Sequence, residues 1–474
     1  MTRPTATAPL RIGRRRFLQR LGVGAAALAA PGVLGGEREA RRPNVLLIYT
    51  DDQGTLDANC YGSKDLHTPH VDALAASGVR FTQAYAHTVC CPSRALLLTG
   101  RHPQRCNVGA WQQGDMKAPK KGTNMFLSEV TLAEVLRSAG YRTALFGKWH
   151  LGAHRDHGPT RQGFDEFFGF RGGFIDNYLH YFLHGRGYHD LYEGAREVHR
   201  KGEYFPDLIA DRAVRFLERN RNRPFFLYLA LNIPHYPEQA DATFDERYKH
   251  LPMPRRSYAK VISTTDDRVG RVLGKLEKLG LRDDTIVIFM SDNGHSAEDN
   301  RIRVDGHASG LPKGHHYGAN GGGGNTGKWR GHKGTFLEGG IRVPAILSYP
   351  RKLPKGVVRG QAITAADFFP TVLELCGVPR PKVKLDGASL LRIVRDDAPS
   401  HHRVMHWQWY ANWAAREGDW KLLGRRDKAT FLGNLADEEP ERKNYLREKP
   451  EIARRLLERH RSWVRDVTPK GDDS

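Results

Sequence analysis

Two short stretches of the chain pair oxygen-bearing side chains directly after an apolar run. Asp51 and Asp52 follow 44–49 (NVLLIY), and Ser291-Asp292-Asn293-Gly294 follows 285–290 (TIVIFM). Three carboxylates and an amide make a donor set for a hard divalent cation such as Ca2+, with Mg2+ second. Crowded without an ion, such carboxylates repel and take up protons. Histidine and cysteine do not dominate the set, which argues against a soft metal. Asp51-Asp52 alone also reads as a helix cap or a solvated turn; the matching cluster at 291–294 favours a site. Two more polar groups sit in equivalent places: Lys148 and His150 after 142–146, and Pro234-His235 after 224–231 (PFFLYLAL). Finally, Cys90 and Cys91 stand side by side in CCPSRALLLTG (90–100). Adjacent cysteines seldom bridge each other, and metal sites space their cysteines further apart, so this pair asks for another use.

The elements that must carry these groups are legible as alternating patterns. The runs at 44–49, 142–146, 224–231, 285–290 and 343–348 read as buried strands. Between them, 131–138, 204–219 and 268–279 place apolar residues on one helical face, such as Val269, Val272, Leu273 and Leu276. Strands alternating with helices predict an α/β sheet with covered faces. Ligands of such sheets bind beyond the carboxyl ends of the strands, so four clusters distant in sequence can meet at one edge. Residues 296–334 are rich in Gly and His and read as one long loop. From 398 the texture changes: HWQWY and DWKLLGRR read as hairpin strands, and 449–464 as a final helix with Ile452, Leu456, Trp463 and Val464 inward.

The chain has 474 residues, 39% hydrophobic and 27% charged, as expected of a soluble globular protein. Five cysteines exclude a disulfide-stapled fold, and no apolar run reaches the length of a membrane span. Cys60, Cys91, Cys106 and Cys376 read as structural. The formal net charge is +21, an excess that favours an anionic partner. No aromatic-interleaved basic stripe or DNA-binding motif is present, so nucleic acid is not expected. Residues 1–36 carry six arginines and no acid. Arg14-Arg15-Arg16-Phe17-Leu18, the short apolar stretch 21–30 and Ala27-Leu28-Ala29 fit a twin-arginine export signal, implying the twin-arginine translocation machinery as a partner and a periplasmic or extracellular destination.

Together the motifs resemble the sulfatase family of the alkaline-phosphatase-like superfamily. CCPSRALLLTGRHP (90–103) is similar to its C-x-P-S-R-x-x-x-x-T-G-R element, and GYRTALFGKWHLG (140–152) to its second element. TDDQG (50–54), SDNG (291–294), GHKGTFLEGGIRVP (331–344) and DFFPTVLELCG (367–377) match further anchors in the same order. The resemblance implies a large central mixed β-sheet flanked by helices, with a small C-terminal α/β subdomain. The expected divisions are 1–36 (signal), 37–397 (catalytic) and 398–474 (C-terminal). It also implies that Cys90 is converted to formylglycine by a formylglycine-generating enzyme. Hydrated formylglycine offers two hydroxyls: one attacks sulfur and expels the alcohol, and loss of the other's proton re-forms the carbonyl and releases sulfate. By the same resemblance Asp51, Asp52, Asp292, Asn293 and residue 90 hold Ca2+. Arg94 holds the hydrate, and Lys148 and Lys333 grip sulfate oxygens. His150 assists proton removal, and His235, with Lys333, protonates the leaving alcohol. His295 reads as a surface-loop residue.

The basic charge and the His-rich loop point to a sulfated carbohydrate, with Trp111, Lys117, Lys120 and Lys121 as a further pocket wall. Alternatives are a small aryl sulfate, a phosphate or phosphonate ester cleaved on the same fold, and a non-enzymatic sulfated-glycan-binding protein in which Cys90 stays a thiol.

Overall fold

The computed structural model describes residues 42–110 and 124–468. The signal segment 1–36 and Trp111, Lys117, Lys120 and Lys121 lie outside the described residues.

Seven strands build the body of an eleven-stranded sheet: β1 (Asn44–Asp51), β2 (Val79–Tyr85), β3 (Arg142–Lys148), β4 (Glu166–Phe170), β5 (Phe225–Pro234), β6 (Thr285–Ser291) and β7 (Arg342–Ser348). Their spatial order is β2-β7-β6-β1-β5-β3-β4, extended at both edges by two- and three-residue strands. β1 is parallel to β6 on one side and β5 on the other, and β5-β3-β4 continue in parallel. β7 runs antiparallel to β6 and to β2, so the sheet is mixed. The carboxyl ends of β1, β3, β5 and β6 therefore share one edge. The register between β1 and β5 slips after Tyr49, so that Asp51 comes to stand opposite Pro234. Irregularities of this kind re-aim side chains at the end of a ladder.

Both faces of β1 are buried, which explains its unbroken apolar run. Val45, Leu47 and Tyr49 face one core with helices α2 (Cys90–Thr99), α3 (Leu132–Ser138) and α6 (Phe368–Cys376). Leu46 and Ile48 face the other with α1 (Pro69–Ala76), α4 (Phe205–Arg219) and α5 (Arg255–Lys278). All five strands and three helical patterns expected from periodicity are present. α5 is longer than expected because its first half turns polar residues inward: Asp266 accepts the backbone N–H groups of His70 and Val71, and Ser263 donates to the His67 carbonyl. The 296–334 loop contains a small hairpin, Asp299–Arg301 with His316–Asn320. Ile302, Tyr317 and Ala319 anchor it against Phe174, Phe182 and Tyr236.

The C-terminal part is a four-stranded antiparallel sheet, β8 (Met405–Trp409), β9 (Asn412–Glu417), β10 (Trp420–Arg425) and β11 (Lys428–Asn434), and helix α7 (Pro450–Val467). One face packs Trp407 and Ala414 against Tyr85, Phe336 and Ile341 of the main body. The other packs Trp413, Leu422 and Leu432 under α7. The buried stripe of α7 is Ala453, Leu456, His460 and Val467, while Ile452, Trp463 and Val464 are only half-buried. His460 stacks on Trp413 at 4.3 Å and sets that rotation. No helix among the described residues is long and apolar enough to cross a membrane.

Candidate active site

The shared edge gathers every described residue singled out for chemistry, and His295, expected as a surface-loop residue, is instead partly buried beside it, its carbonyl accepting the Lys333 N–H. Asp51, Asp52, Asp292, Asn293, Arg94 and Lys148 are at most 1% exposed. Cys90 opens α2, and its Sγ lies 3.4 Å from Asp51 Oδ1. Cys91 points the other way, donating to the Ala110 carbonyl. Sγ of Cys90 and ligand atoms of Asp51, Asp52 and His235 all lie within 4.8 Å of one another.

Three cations neutralise the three carboxylates. Lys148 Nζ is 2.6 Å from Asp51 Oδ2, Lys333 Nζ is 2.9 Å from Asp52 Oδ2, and Arg94 Nη2 is 2.7 Å from Asp292 Oδ2. Arg94 also donates to the Lys148 carbonyl and the Tyr228 hydroxyl. Asn293 Nδ2 donates to Asp52 Oδ1 at 2.6 Å, and the Asp52 N–H donates to Asp292 Oδ1. Tyr258 supports the turn from below: its hydroxyl donates to the Asp52 carbonyl and accepts from the Gly54 N–H. Asp52 and His150 both adopt positive φ, 64° and 55°. Such strain in non-glycine residues gathers where surrounding structure over-determines a site.

The balance is uneven. Burial disfavours the Asp51 carboxylate, but Lys148, with His235, Arg94 and Lys333, holds Asp51 well below the ordinary carboxylate range. Burial pushes Asp52 up to about 7 against Lys333, with Asp51 and Asp292 adding repulsion. Burial and Asp51 push Asp292 up to about 6 against Arg94. Burial, with Asp51 beside it, raises the Cys90 thiol, so an unmodified Cys90 is a poor nucleophile. Burial, with Lys148 and Arg94, keeps His150 neutral, and neither ring nitrogen has a partner among the described residues. Burial and Lys333 likewise keep His235 neutral.

The donor set fits a hard cation. The buried Asn293 Oδ1 has no hydrogen-bond partner among the described residues, and two of the three neighbouring carboxylates resist ionisation as they stand. A divalent ion satisfies the amide oxygen and removes the repulsion.

Above Cys90 lies a cavity of about 270 Å³, lined by His150, Phe174, His235, Tyr236, Glu298, Lys333 and Trp409 among others. His235 stacks on Phe174 at 5.2 Å. Lys333 is held in place through its backbone, where its N–H donates to the His295 carbonyl.

The sulfatase family model matches residues 43–378, and a model described as the C-terminal part of N-sulphoglucosamine sulphohydrolase matches 328–432. Mouse steryl-sulfatase is 33% identical over 441 residues, covering 77% of this chain and 68% of its own. Human arylsulfatase A is 34% identical over 379 residues, covering 74% and 67%. This chain belongs to the sulfatase family. The solved structure of Ps i-CgsB in complex with k-i-k-neocarrahexaose superposes with a TM-score of 0.77 at 27% identity, covering 91% of this sulfatase and 94% of that chain. The family's reaction is sulfate ester hydrolysis, and membership implies a metal ion and formylglycine in the region of Asp51, Asp52 and Cys90.

Sequence reasoning missed the groups that frame the site. Tyr228 sits mid-strand in β5 and Tyr258 inside α5, where both letters read as core. Glu298 lies in a loop without periodicity. Trp409 carried a signal, the dense aromatic HWQWY, but nothing placed it beside Cys90.

Proposed function

We propose that this sulfatase hydrolyses sulfate esters of a carbohydrate, with Ca2+ held by Asp51, Asp52, Asp292 and Asn293 and formylglycine made from Cys90. The observation that carries the reading is convergence: four oxygen-bearing side chains from the ends of β1 and β6 meet the first residue of α2, where Cys90 Sγ, standing for the reacting oxygen, is 3.4 Å from Asp51 Oδ1. The ion supplies Lewis acidity, and formylglycine supplies the oxygen nucleophile.

The chain's own residues supply the rest. Arg94, fixed by Asp292, Tyr228 and the Lys148 carbonyl, places a permanent charge beside residue 90. Lys148 and Lys333 pair with Asp51 and Asp52 in the ion-free protein; with those carboxylates committed to the ion, both ammonium groups would be available to sulfuryl oxygens. His150, neutral and with both nitrogens uncommitted, removes a proton at residue 90. His235 Nδ1 donates to the Tyr236 carbonyl at 2.5 Å, which leaves Nε2 with a lone pair in the neutral ring. His235 therefore donates only as imidazolium. Lys333, whose charged form Asp52 favours against burial in the ion-free protein, is the ammonium group placed to supply the leaving oxygen's proton.

Carbohydrate is favoured by the aromatic walls Phe174, Tyr236 and Trp409, by the charge of +21, and by the neocarrahexaose complex of Ps i-CgsB. Export by the twin-arginine route to the periplasm or beyond rests on Arg14–Leu18 and the apolar stretch after it. It requires a formylglycine-generating enzyme to act before the folded protein leaves the cytoplasm. Peptide mass spectrometry across residues 80–94 is expected to show an aldehyde at residue 90. Sulfate release is expected from sulfated sugars but not phosphate release from matched phosphate esters. Turnover confined to an aryl sulfate defeats the carbohydrate assignment, and an intact thiol in an inactive protein defeats the mechanism.

A further inference from the structure

One side chain of the C-terminal sheet, Trp409, lines the cavity, and that sheet continues beyond it. Trp409, which lines it, pairs with Asn412; Asn412 pairs with Arg425; Arg425 pairs with Lys428. Directly paired residues of antiparallel strands point to the same face. The four side chains thus form one row across β8–β11, on the face that also carries Trp407 and Ala414 onto the main body. With strands about 4.8 Å apart, Arg425 and Lys428 stand about 10 and 14 Å from Trp409.

The row is anchored at its inner end. Trp407 Nε1 donates to the Ala86 carbonyl at 2.9 Å, and Gln104 Nε2 donates to the Gln408 carbonyl at 2.8 Å, which ties β8 to the segments before and after α2. Trp409 Nε1 is buried without a partner among the described residues. Tyr410, 54% exposed, lies 5.4 Å from the Trp409 ring. Asn412, Arg425 and Lys428 are exposed, and neither cation forms an ion pair among the described residues. Elsewhere on the rim Glu298 presents a carboxylate 4.0 Å from Lys333. A polyanionic chain leaving the cavity is repelled by Glu298 and drawn along Arg425 and Lys428.

We infer that Trp409, Asn412, Arg425 and Lys428 form an extension of the substrate site that holds the anionic groups of neighbouring sugars in a polysulfated chain. This rests on the carbohydrate reading above. It makes this sulfatase selective for chains over single sugars, through KM and in a salt-sensitive way.

The test compares wild type, Arg425→Ala/Lys428→Ala and a control, Lys352→Ala/Lys355→Ala. The control residues are exposed and follow β7 at the opposite end of the sheet. The readout is the ratio of kcat/KM on a sulfated oligosaccharide to that on its sulfated monosaccharide. That ratio is expected to fall roughly tenfold in the row variant, mainly through KM, and to stay near wild type in the control. Equal ratios in all three proteins, or an equal fall in the control, overturn the inference. If wild type cleaves an aryl sulfate but no sugar sulfate, the carbohydrate reading fails by itself. Binding to dextran sulfate then decides: weaker binding in the row variant alone upholds a polyanion site, and unchanged binding removes it.

Discussion

Asn293→Ala tests the metal assignment without relying on turnover. The substitution removes one oxygen donor and the 2.6 Å hydrogen bond from Nδ2 to Asp52 Oδ1. The lost bond to a buried carboxylate costs the ion-free protein about 1.5–3 kcal/mol. Its effect on the ion is separate. Loss of a group that orients metal ligands typically weakens affinity about 10- to 100-fold. At an ion concentration of about 100 times the wild-type Kd, binding stabilises wild type by about 2.7 kcal/mol; a tenfold weaker site gives about 1.4 and a hundredfold weaker site about 0.4. The assay is chemical denaturation of wild type and N293A, each with EDTA and with Ca2+, and the quantity compared is the ion-induced increment. An increment in N293A equal to that of wild type refutes a ligand role for Asn293, and no increment in either protein refutes the ion site.

Other perturbations follow from the same geometry. Lys421 is 1% exposed and bridges Glu338 at 2.9 Å and Glu441 at 2.8 Å; Lys421→Met leaves the buried Glu441 without its cation, while Glu338 keeps Arg342 and the Tyr85 hydroxyl, and is expected to cost about 3 kcal/mol in urea unfolding, most of which Glu441→Gln restores. A Cβ on Gly294 would lie 1.8 Å from the Gly339 carbonyl oxygen, so Gly294→Ala is expected to push the SDNG turn away from the 331–340 loop, lowering Tm and kcat/KM together. Asp367 is held below the usual carboxylate range, because His402 and His401 override burial, and Asp367 raises His402 against burial. The Asp367 contribution is complete above its unfolded pKa, about 3.9, and disappears as pH falls through the depressed folded value. The His402 contribution is complete below about 6.5 and disappears as pH rises through the raised folded value. His402→Gln is therefore expected to lower Tm more at pH 5.5 than at pH 8.5; an equal loss at both would contradict the pairing.

The legible parts of the fold were those in which one physical demand governs a run of residues. β1 had to be apolar throughout because helices cover both its faces, and the 3.6-residue stripe at 268–279 had to be apolar because it meets the sheet. Where polar letters turn inward the signal fails. The first half of α5 was missed because Ser263 and Asp266 are buried to bond the segment 67–71. β2 was missed because Arg80, Thr82 and Gln83 are only partly buried and break the run. The inward stripe of α7 was misjudged because a histidine, His460, supplies a core contact. For the site, the donors at strand ends were readable from position alone. Trp409 and Tyr258 were not, because they reach it from distant segments, and only tertiary packing sets that approach.

The charge pattern explains why those two kinds of residue occur together. Three buried carboxylates are opposed by Arg94, Lys148 and Lys333, yet burial and mutual repulsion still raise Asp52 and Asp292 in the ion-free site. A divalent cation added to the same carboxylates would leave an excess of positive charge inside low-dielectric walls, which a sulfate group, monoanionic as an ester and dianionic as the released ion, would offset. On the proposed mechanism, metal binding and sulfate binding would be linked, each favouring the other through Lys148 and Lys333. Dissociation of Ca2+, measured by chelator chase, is expected to slow when inorganic sulfate is bound, and an unchanged rate would show that Lys148 and Lys333 do not pass between carboxylate and anion.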